Sequence, residues 1–290
     1  MTAMRKTGWF PIVNGTFMIV FCFLMVAPML HLLAVSLSAP EFANARLVGL
    51  WPKGFQLDVY KEIVSSQSLW RSLGVSIYIT VFGTLIALML NSSIAYSLSR
   101  AFMPGRKLFL KLVLLTFIFP VPLIPSYLLV KELGMLDTLW SLMVPGAVGA
   151  FYIFIIKAFF QGISSELFDA AKMDGSSEFG LYGRIVLPLS MPVLATIALF
   201  HAVAQWNSYF SAIIFLRTKT LYPLQVLLRS MIVEDGSNSG IDNTFQLNMQ
   251  FTPEMMKAGI VLFATAPILI VYPFLQKYFV KGAMLGSLKE

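Results

Sequence analysis

Residues 166–192 read ELFDAAKMDGSSEFGLYGRIVLPLSMP, and they lie between two long apolar stretches of the chain. The serines at 164–165 are suited to cap a helix, because a serine hydroxyl accepts a hydrogen bond from a free amide of the first turn. Glu166 and Asp169 follow, where acidic side chains favour the positive end of the helix dipole. Gly175 is suited to the left-handed turn that ends a helix. The first half is therefore predicted to be a short capped helix.

The second half begins again with serines and runs to Pro188. We expect its helix to end before Leu187, since proline disfavours helical backbone at the preceding residue. In the first helix, Leu167, Ala170 and Ala171 share one face at helical spacing. Small side chains on such a face let another backbone come close, so we interpret it as a docking helix for a second protein. The alternative is a helix that only covers its own bundle.

The composition indicates a membrane protein. Among 290 residues, 58% are hydrophobic and 12% are charged, with a mean hydropathy of +0.78. Soluble domains carry about 25% charged residues. The single cysteine, Cys22, excludes a disulfide or a cysteine-based metal site within one chain. The net charge of +7 comes without a basic cluster interleaved with aromatic residues, which argues against a nucleic-acid partner.

Six stretches are apolar over the length of about 20 residues that a membrane-spanning helix needs. A barrel would instead alternate apolar and polar residues in segments of about ten. We therefore predict an all-α membrane protein, a single transmembrane domain of residues 1–290, with a helix-glycine-helix loop at 161–189. The predicted spans are 12–36, 72–98, 109–130, 139–160, 190–215 and 256–279.

Positive charges near the span ends predict the orientation, because cytoplasmic connections are enriched in Lys and Arg. With six spans, twelve cations fall on one side, so both termini and the loop at 161–189 are expected in the cytoplasm. Those cations are Arg5, Lys6, Arg100, Arg106, Lys107, Lys111, Lys157, Lys172, Arg184, Lys277, Lys281 and Lys289. The long connections 37–71 and 216–255 are then exported. The first span is read as uncleaved, since its apolar run is too long for a secretory signal.

The loop resembles the signature loop of binding-protein-dependent ABC importer permeases. That signature is Glu-Ala-Ala, three residues, Gly, nine residues, Ile, one residue and Leu-Pro; here Asp169 replaces the family's Glu, which shortens the acidic side chain by one methylene. The resemblance covers nearly the whole chain and is closest to the maltose-type carbohydrate permeases. AQWNSYF at 204–210 resembles a Trp-Asn segment that is common in the fifth span of that group. The ending QKYFVKGAMLGSLKE resembles the tail of its oligosaccharide and polysaccharide-fragment branch, and fragments of acidic polysaccharides such as alginate are consistent with that branch.

The resemblance implies a six-span permease subunit in a bacterial inner membrane that imports carbohydrate. Its partners would be a second related permease, two cytoplasmic ATPases that bind ATP and Mg²⁺, and an extracytoplasmic solute-binding protein. The chain itself would hold no cofactor and no metal. Closure of the ATPases would be coupled to the spans through the loop residues Glu166, Asp169, Ala170, Ala171, Asp174, Gly175, Ile185, Leu187 and Pro188.

Other functions are also compatible with the sequence. The chain has no G-x-x-x-x-G-K-[ST] phosphate-binding loop, so another chain must hydrolyse any ATP that drives it. An ion-coupled transporter or facilitator is the alternative, although the spans lack acidic residues at mid-depth. An ABC importer of a non-sugar solute is a further one. His31 and His201 lie in different spans without a catalytic motif, so we expect bundle histidines and no enzyme activity.

The fifth predicted span offers candidates for a sugar path. Aromatic faces pack against sugar C–H groups and amides bond sugar hydroxyls. Trp206, Tyr209 and Phe210 fall at i, i+3 and i+4, with Gln205 and Asn207 beside them. Packing against neighbouring helices is the alternative.

Two further features concern the shape of the bundle. Three prolines, at positions 120, 122 and 125, predict a kink in the third span. Asn91, Ser92 and Ser93 are interpreted as packing contacts between helices.

Overall fold

The computed structural model describes residues 9–233 and 252–287, and every regular element within those ranges is helical. This agrees with the predicted all-α class. Arg5, Lys6, Lys289 and most of the polar tract in the connection 216–255 lie outside the described ranges. The helices are α1 Trp9–Ser36, α2 Pro40–Asn44, α3 Asp58–Ser65, α4 Gln67–Ser99, α5 Arg106–Ile118, α6 Leu123–Glu132, α7 Trp140–Met143, α8 Ala150–Gln161, α9 Ser165–Met173, α10 Glu178–Gly180, a π-helix Leu181–Val186, α11 Leu187–Leu189, α12 Met191–Trp206, α13 Phe210–Phe215, a 3₁₀ turn Lys219–Leu221, α14 Leu224–Val233 and α15 Pro253–Ser287.

Among the described residues, three helical segments are long and apolar enough to cross a membrane: α1, α4 and the part Pro253–Val271 of α15. Three further pairs of helices qualify only if each bent pair is counted as one span. By length and composition, residues 9–233 and 252–287 therefore contain three to six candidate spans. Most of α1 is exposed: only 6% of its most apolar 18-residue stretch is buried, as expected for a helix that faces lipid.

The predicted kink in the third span is present. The helix axis bends by 116° between α5 and α6, and the break falls at residues 119–122. Pro120 and Pro122 lie in that break, where each lacks the amide hydrogen that an unbroken helix would require. Pro125, by contrast, is accommodated in the first turn of α6, where the helix leaves amides unpaired in any case.

The fourth and fifth predicted spans are interrupted. The stretch 139–160 is helical only at α7 and α8, and residues 144–149 between them are not helical. Pro145 and Gly146 lie in this break. Both residues favour it, because proline lacks the amide hydrogen that a helix needs and glycine readily adopts turn conformations. The stretch 190–215 is divided into α12 and α13 at residues 207–209.

The chain forms two compact units. Of the described residues, the first contains 9–69, 228–233 and 252–267. In this unit, α15 packs closely on α3 at Gly259. A Cβ added to Gly259 would lie 2.7 Å from a side-chain atom of Ile63 and 2.8 Å from one of Val59. The Ser36 hydroxyl lies 2.8 Å from the Tyr60 hydroxyl. Only glycine allows this approach of α15 to α3.

The second unit contains residues 70–227 and 268–290. Near the ends of α6 and α13, the carboxylate of Asp137 accepts hydrogen bonds from the backbone amides of Arg217 and Thr218, both 2.8 Å long, and from the Thr218 hydroxyl at 2.6 Å. The Asp137 amide donates in turn to the Phe215 carbonyl. These bonds join the connection after α6 to the chain that leaves α13.

Candidate functional site

The loop at 161–189 begins as the sequence predicts. The Ser164 hydroxyl accepts a hydrogen bond from the Glu166 amide at 3.3 Å and caps α9. The helix ends at Met173, and Gly175 takes the left-handed conformation with φ +79°. The Ser176 amide bonds the Ala171 carbonyl and the Gly175 amide bonds the Lys172 carbonyl. This is the Schellman arrangement, which satisfies the last carbonyls of a helix and favours glycine at its left-handed position.

The second half of the loop differs from the prediction. The Ser177 hydroxyl caps α10 as expected, but the helical backbone continues through Leu187 and Pro188 to Leu189. The expectation that the helix ends before Leu187 is therefore wrong. A π-helical turn over Leu181–Val186 precedes Pro188, and the Leu187 amide bonds the Tyr182 carbonyl five residues back. The wider turn relieves the clash that a proline ring makes with an α-helical turn.

One face of the loop is buried against the spans. Phe168, Leu181 and Val186 join a hydrophobic cluster with residues from the carboxyl-terminal end of α4 and from α8 and α12. Ile185 and Leu187 pack on the same cluster at its edge. Ile185 and Leu187, two of the predicted site residues, therefore help to anchor the loop to the bundle.

The opposite face of α9 is exposed. Leu167 is 48% exposed, and Glu166, Asp169 and Ala170 are exposed beside it. Ala171 differs from Ala170, because it is partly buried against the cluster. The two alanines of the motif thus have different surroundings, and only the first lies open.

The turn carries three more of the predicted site residues. Asp174 and Gly175 are exposed at the end of α9, and Pro188 is exposed near the end of the second half. No atom lies within 4 Å of a Cβ added to Gly175, so its backbone conformation is what requires glycine. Acidic and small residues are therefore available to a partner along the outer side of the loop.

Glu178 connects the loop to α4, a contact that the sequence did not reveal. Its carboxylate accepts a hydrogen bond from the Tyr96 hydroxyl at 2.7 Å and one from Lys172 Nζ at 2.9 Å, and Arg100 Nε lies 3.9 Å away. Burial would raise the pKa of the Glu178 carboxyl, but the hydrogen bonds from Tyr96 and Lys172 and the nearby positive charges outweigh it, so the pKa is lowered. The carboxylate is ionised at neutral pH.

The Arg100 guanidinium lies over the Phe168 ring, with its central carbon 3.9 Å from the ring centroid. A second link joins the Tyr182 hydroxyl to the Ser92 hydroxyl at 2.6 Å. Ser92, Tyr96 and Arg100 are spaced four residues apart along α4 and its end, so they lie on one face of that helix. The loop is therefore attached to α4 by polar contacts as well as by the hydrophobic cluster.

The candidates for a sugar path do not form a continuous helical strip. Helix α12 ends at Trp206, and Tyr209 lies in the break before Phe210 opens α13. Gln205 and Trp206 are buried, whereas Phe210 is 64% exposed. The Asn207 amide bonds the Val203 carbonyl in its own helix. The assumed spacing is wrong because the helix breaks, and the predicted role in a sugar path stays a prediction.

Polar side chains from α4 and α12 instead satisfy the break in the fourth predicted span. The Asn91 amide donates to the Ala147 carbonyl at 2.7 Å, and its oxygen accepts from the Gly149 amide at 2.9 Å. Gln205 donates to the Leu142 carbonyl at 3.1 Å. Backbone groups that lose their helical partners inside a membrane need such replacements.

His201 lies in the same group. Its Nε2 is 3.4 Å from the Gly146 carbonyl, and its Nδ1 is 3.4 Å from the Thr84 hydroxyl. This agrees with the predicted bundle histidine. His31, by contrast, is exposed, and its Nδ1 lies 2.9 Å from the Gly49 carbonyl in the connection between α2 and α3. Within the described parts of the chain, no group of three or more His, Cys, Asp or Glu side chains is arranged to hold a metal ion.

Comparison with solved structures supports the architecture. A crystal structure of a bacterial ABC transporter involved in the import of the acidic polysaccharide alginate contains a chain that is 30% identical in sequence. The two chains superpose with a TM-score of 0.87, over 96% of this chain and 99% of the other. The likeness therefore extends over nearly the full length of both chains.

Comparison with known sequences gives the family. The polygalacturonan/rhamnogalacturonan transport system permease protein YtcP of Bacillus subtilis is 41% identical over 98% of this chain and 99% of its own length. Protein LplC of the same organism is 42% identical over 91% of this chain and 89% of its own. Residues 79–284 match the family described as binding-protein-dependent transport system inner membrane component. The chain therefore belongs to this family, as a permease subunit and not an enzyme.

Proposed function

We propose that the chain is the transmembrane subunit of an ATP-driven, binding-protein-dependent importer of oligosaccharides. The observation that carries this proposal is the loop at 161–189, which is anchored to the spans on one side and exposes Leu167, Asp169 and Ala170 on the other. A loop with only a structural role in its own bundle has no need of an exposed small-residue face. Membership of the permease family supports the ATP-driven reading over an ion-coupled transporter.

The proposal includes six spans with both termini in the cytoplasm of a bacterial inner membrane. Three long helices and the bent pairs α5–α6, α8–α9 and α10–α12 are compatible with six spans, in which α9 and α10–α11 are the parts that bend out of the membrane. The charge distribution supports the orientation, since Arg106, Lys107 and Lys111 lie in and after the short connection that follows α4. The loop then lies on the cytoplasmic side, where ATP is available.

Partner subunits supply what this chain lacks. A cytoplasmic ATPase, present in two copies, binds ATP and Mg²⁺, and the exposed face of α9 docks on it. A second related permease completes the path, and an extracytoplasmic protein delivers the solute. Closure of the ATPases pushes on the loop, and because Phe168 and Leu181 are buried among α4, α8 and α12, the spans move with it.

The proposed substrates are oligosaccharide fragments of acidic polysaccharides. The names of the relatives refer to polygalacturonan, rhamnogalacturonan and alginate, which all contain uronic acids. The candidates for contact with sugar in this chain remain Gln205, Trp206, Asn207, Tyr209 and Phe210. Of these, Trp206 has a buried ring nitrogen with no hydrogen-bond partner among the described residues.

The docking proposal is tested with Ala170→Trp. Ala170 is exposed, so a tryptophan there obstructs a partner and leaves the hydrophobic cluster intact, whereas a large side chain at Ala171 would disturb the cluster. We expect the variant to insert into the membrane normally, to lose its ATPase on detergent solubilisation and to lose ATP-dependent uptake of oligogalacturonides or oligoalginates.

The matched control is Ala45→Trp, the same change at an exposed position in the connection that follows α1. It should retain both the ATPase and uptake. Normal ATPase binding and uptake by the Ala170→Trp variant would refute the docking role of α9. Uptake that continues without ATP would refute the importer itself.

A further inference from the structure

Arg100 contacts both halves of the helix-glycine-helix loop from the end of α4. Its guanidinium stacks on Phe168 in the first half, 3.9 Å from the ring centroid, and its Nε faces the Glu178 carboxylate in the second half at 3.9 Å. Tyr96, one turn earlier in α4, donates to the same carboxylate at 2.7 Å. We call Tyr96, Arg100, Phe168 and Glu178 the α4 latch.

The burial of Arg100 separates the latch from ordinary surface ion pairs, while Glu178, its acidic partner, is 41% exposed. The Arg100 side chain is 14% exposed, whereas Lys172, which also pairs with Glu178, is 43% exposed. Arg100 Nε is buried without a hydrogen bond among the described residues, so Glu178 and the aromatic rings are what offset its charge. Exposed pairs contribute little, but a buried cation must keep its partner.

The position of the latch matters because the loop has a turn in its middle. Gly175 takes a left-handed backbone conformation between Phe168 on α9 and Glu178 on α10, so the two helices are joined by a turn. A glycine turn alone can bend, and then a push on α9 would be absorbed at the turn. Because Arg100 contacts residues on both sides of the turn, it makes the two halves of the loop and the end of α4 move together.

We propose that Arg100 is a positioning residue that transmits movement of the loop to α4. This inference rests on the proposed function, since it requires that a partner ATPase moves the loop. Removal of the latch separates ATP hydrolysis from transport: the ATPase still docks on the exposed face of α9 and still closes, but α4 follows its movement less.

The deciding variant is the double substitution Arg100→Met with Glu178→Gln. It removes both charges together, so no buried charge is left unpaired, and the introduced amide oxygen still accepts the Tyr96 hydrogen bond. The assembled complex, with its partner permease, ATPases and solute-binding protein, is reconstituted in proteoliposomes. The readout is the number of solute molecules imported per ATP hydrolysed. We expect normal assembly and a coupling ratio lowered by about tenfold.

The matched control is Arg46→Met with Glu254→Gln. This pair has the same chemistry at 3.4 Å but lies in the first unit, with side chains 83% and 49% exposed. Its coupling ratio should stay within about twofold of the wild type. Arg100→Lys restores a positive charge beside Glu178 without the planar stack, and we expect it to recover part of the ratio.

The outcomes are distinguishable. A coupling ratio within about twofold of wild type in an assembled Arg100→Met/Glu178→Gln complex would overturn the latch proposal. Failure of that complex to assemble would also overturn it, because the two charges would then serve folding. If the wild-type complex itself shows no ATP-dependent import, the proposed function fails and the latch fails with it.

Discussion

Replacing Asn91 by alanine measures what the break in the fourth predicted span requires. Asn91 is fully buried in α4, and its side chain makes two hydrogen bonds to the non-helical segment 144–149, at 2.7 and 2.9 Å. Each bond between segments of a membrane protein contributes about 0.6–1.7 kcal/mol. The Ala147 carbonyl and the Gly149 amide are left unpaired in the variant, which adds to the loss. We expect the free energy of unfolding to fall by about 2–4 kcal/mol.

Steric trapping or titration with a denaturing detergent measures this free energy for the purified chain in micelles. Ser97→Ala is the matched control on the same helix, because its exposed hydroxyl bonds only the Ser93 carbonyl one turn before it. The control should change the free energy of unfolding by no more than about 0.5 kcal/mol. If Asn91→Ala and Ser97→Ala destabilise equally, the break does not depend on Asn91 and the reasoning is refuted.

Two further predictions concern the Gly175 turn and the Asp137 carboxylate. Gly175→Ala should lower the free energy of unfolding by about 1–2 kcal/mol through backbone strain alone, since φ is +79° and the space around an added Cβ is empty. Gly175→Asn should lower it by less, because asparagine tolerates the left-handed conformation better. Equal unfolding free energies for the two variants would contradict this reasoning. Asp137 has a lowered pKa, chiefly because the Thr218 hydroxyl and then backbone amides bond its carboxylate. Its contribution to stability is therefore complete above the ordinary aspartate value of 3.8 and is lost as the pH falls through the lower value of the folded state. Thermal unfolding from about pH 7 down to about pH 2 should show the difference between wild type and Asp137→Asn shrinking in acid, whereas a constant difference would contradict the assignment.

The features predicted correctly from the sequence are those set by long runs and by single strong residues. The apolar runs at 12–36 and 72–98 are long helices because a membrane leaves few alternatives for a backbone. The cap at Ser164, the turn at Gly175 and the kink near Pro120 each follow from the chemistry of one residue. Local rules of this kind act wherever the neighbouring chain does not oppose them.

The features that were missed depend on partners distant in the sequence. The Pro145-Gly146 pair signals a turn, but its apolar neighbours mask the signal. The side chains that bond the backbone of the break and its flank, Asn91, His201 and Gln205, lie about 50 or more residues away in the sequence. The π-helical turn before Pro188 has no distinct sequence period. The role of Glu178 was missed because its contacts lie about 80 residues away, on α4.

The break at residues 144–149 also has a consequence for the order in which the chain is made. The backbone groups of this break and of the preceding end of α7 are bonded by side chains from both directions along the chain. Asn91 precedes them, while His201 and Gln205 are synthesised later. When the segment first leaves the ribosome, the bonds from Asn91 can form at once, but the carbonyls of Leu142 and Gly146 have no lasting partner. We therefore expect the incomplete chain to keep this segment in water or against the insertion machinery until α12 is made, which would delay insertion at a defined point in synthesis.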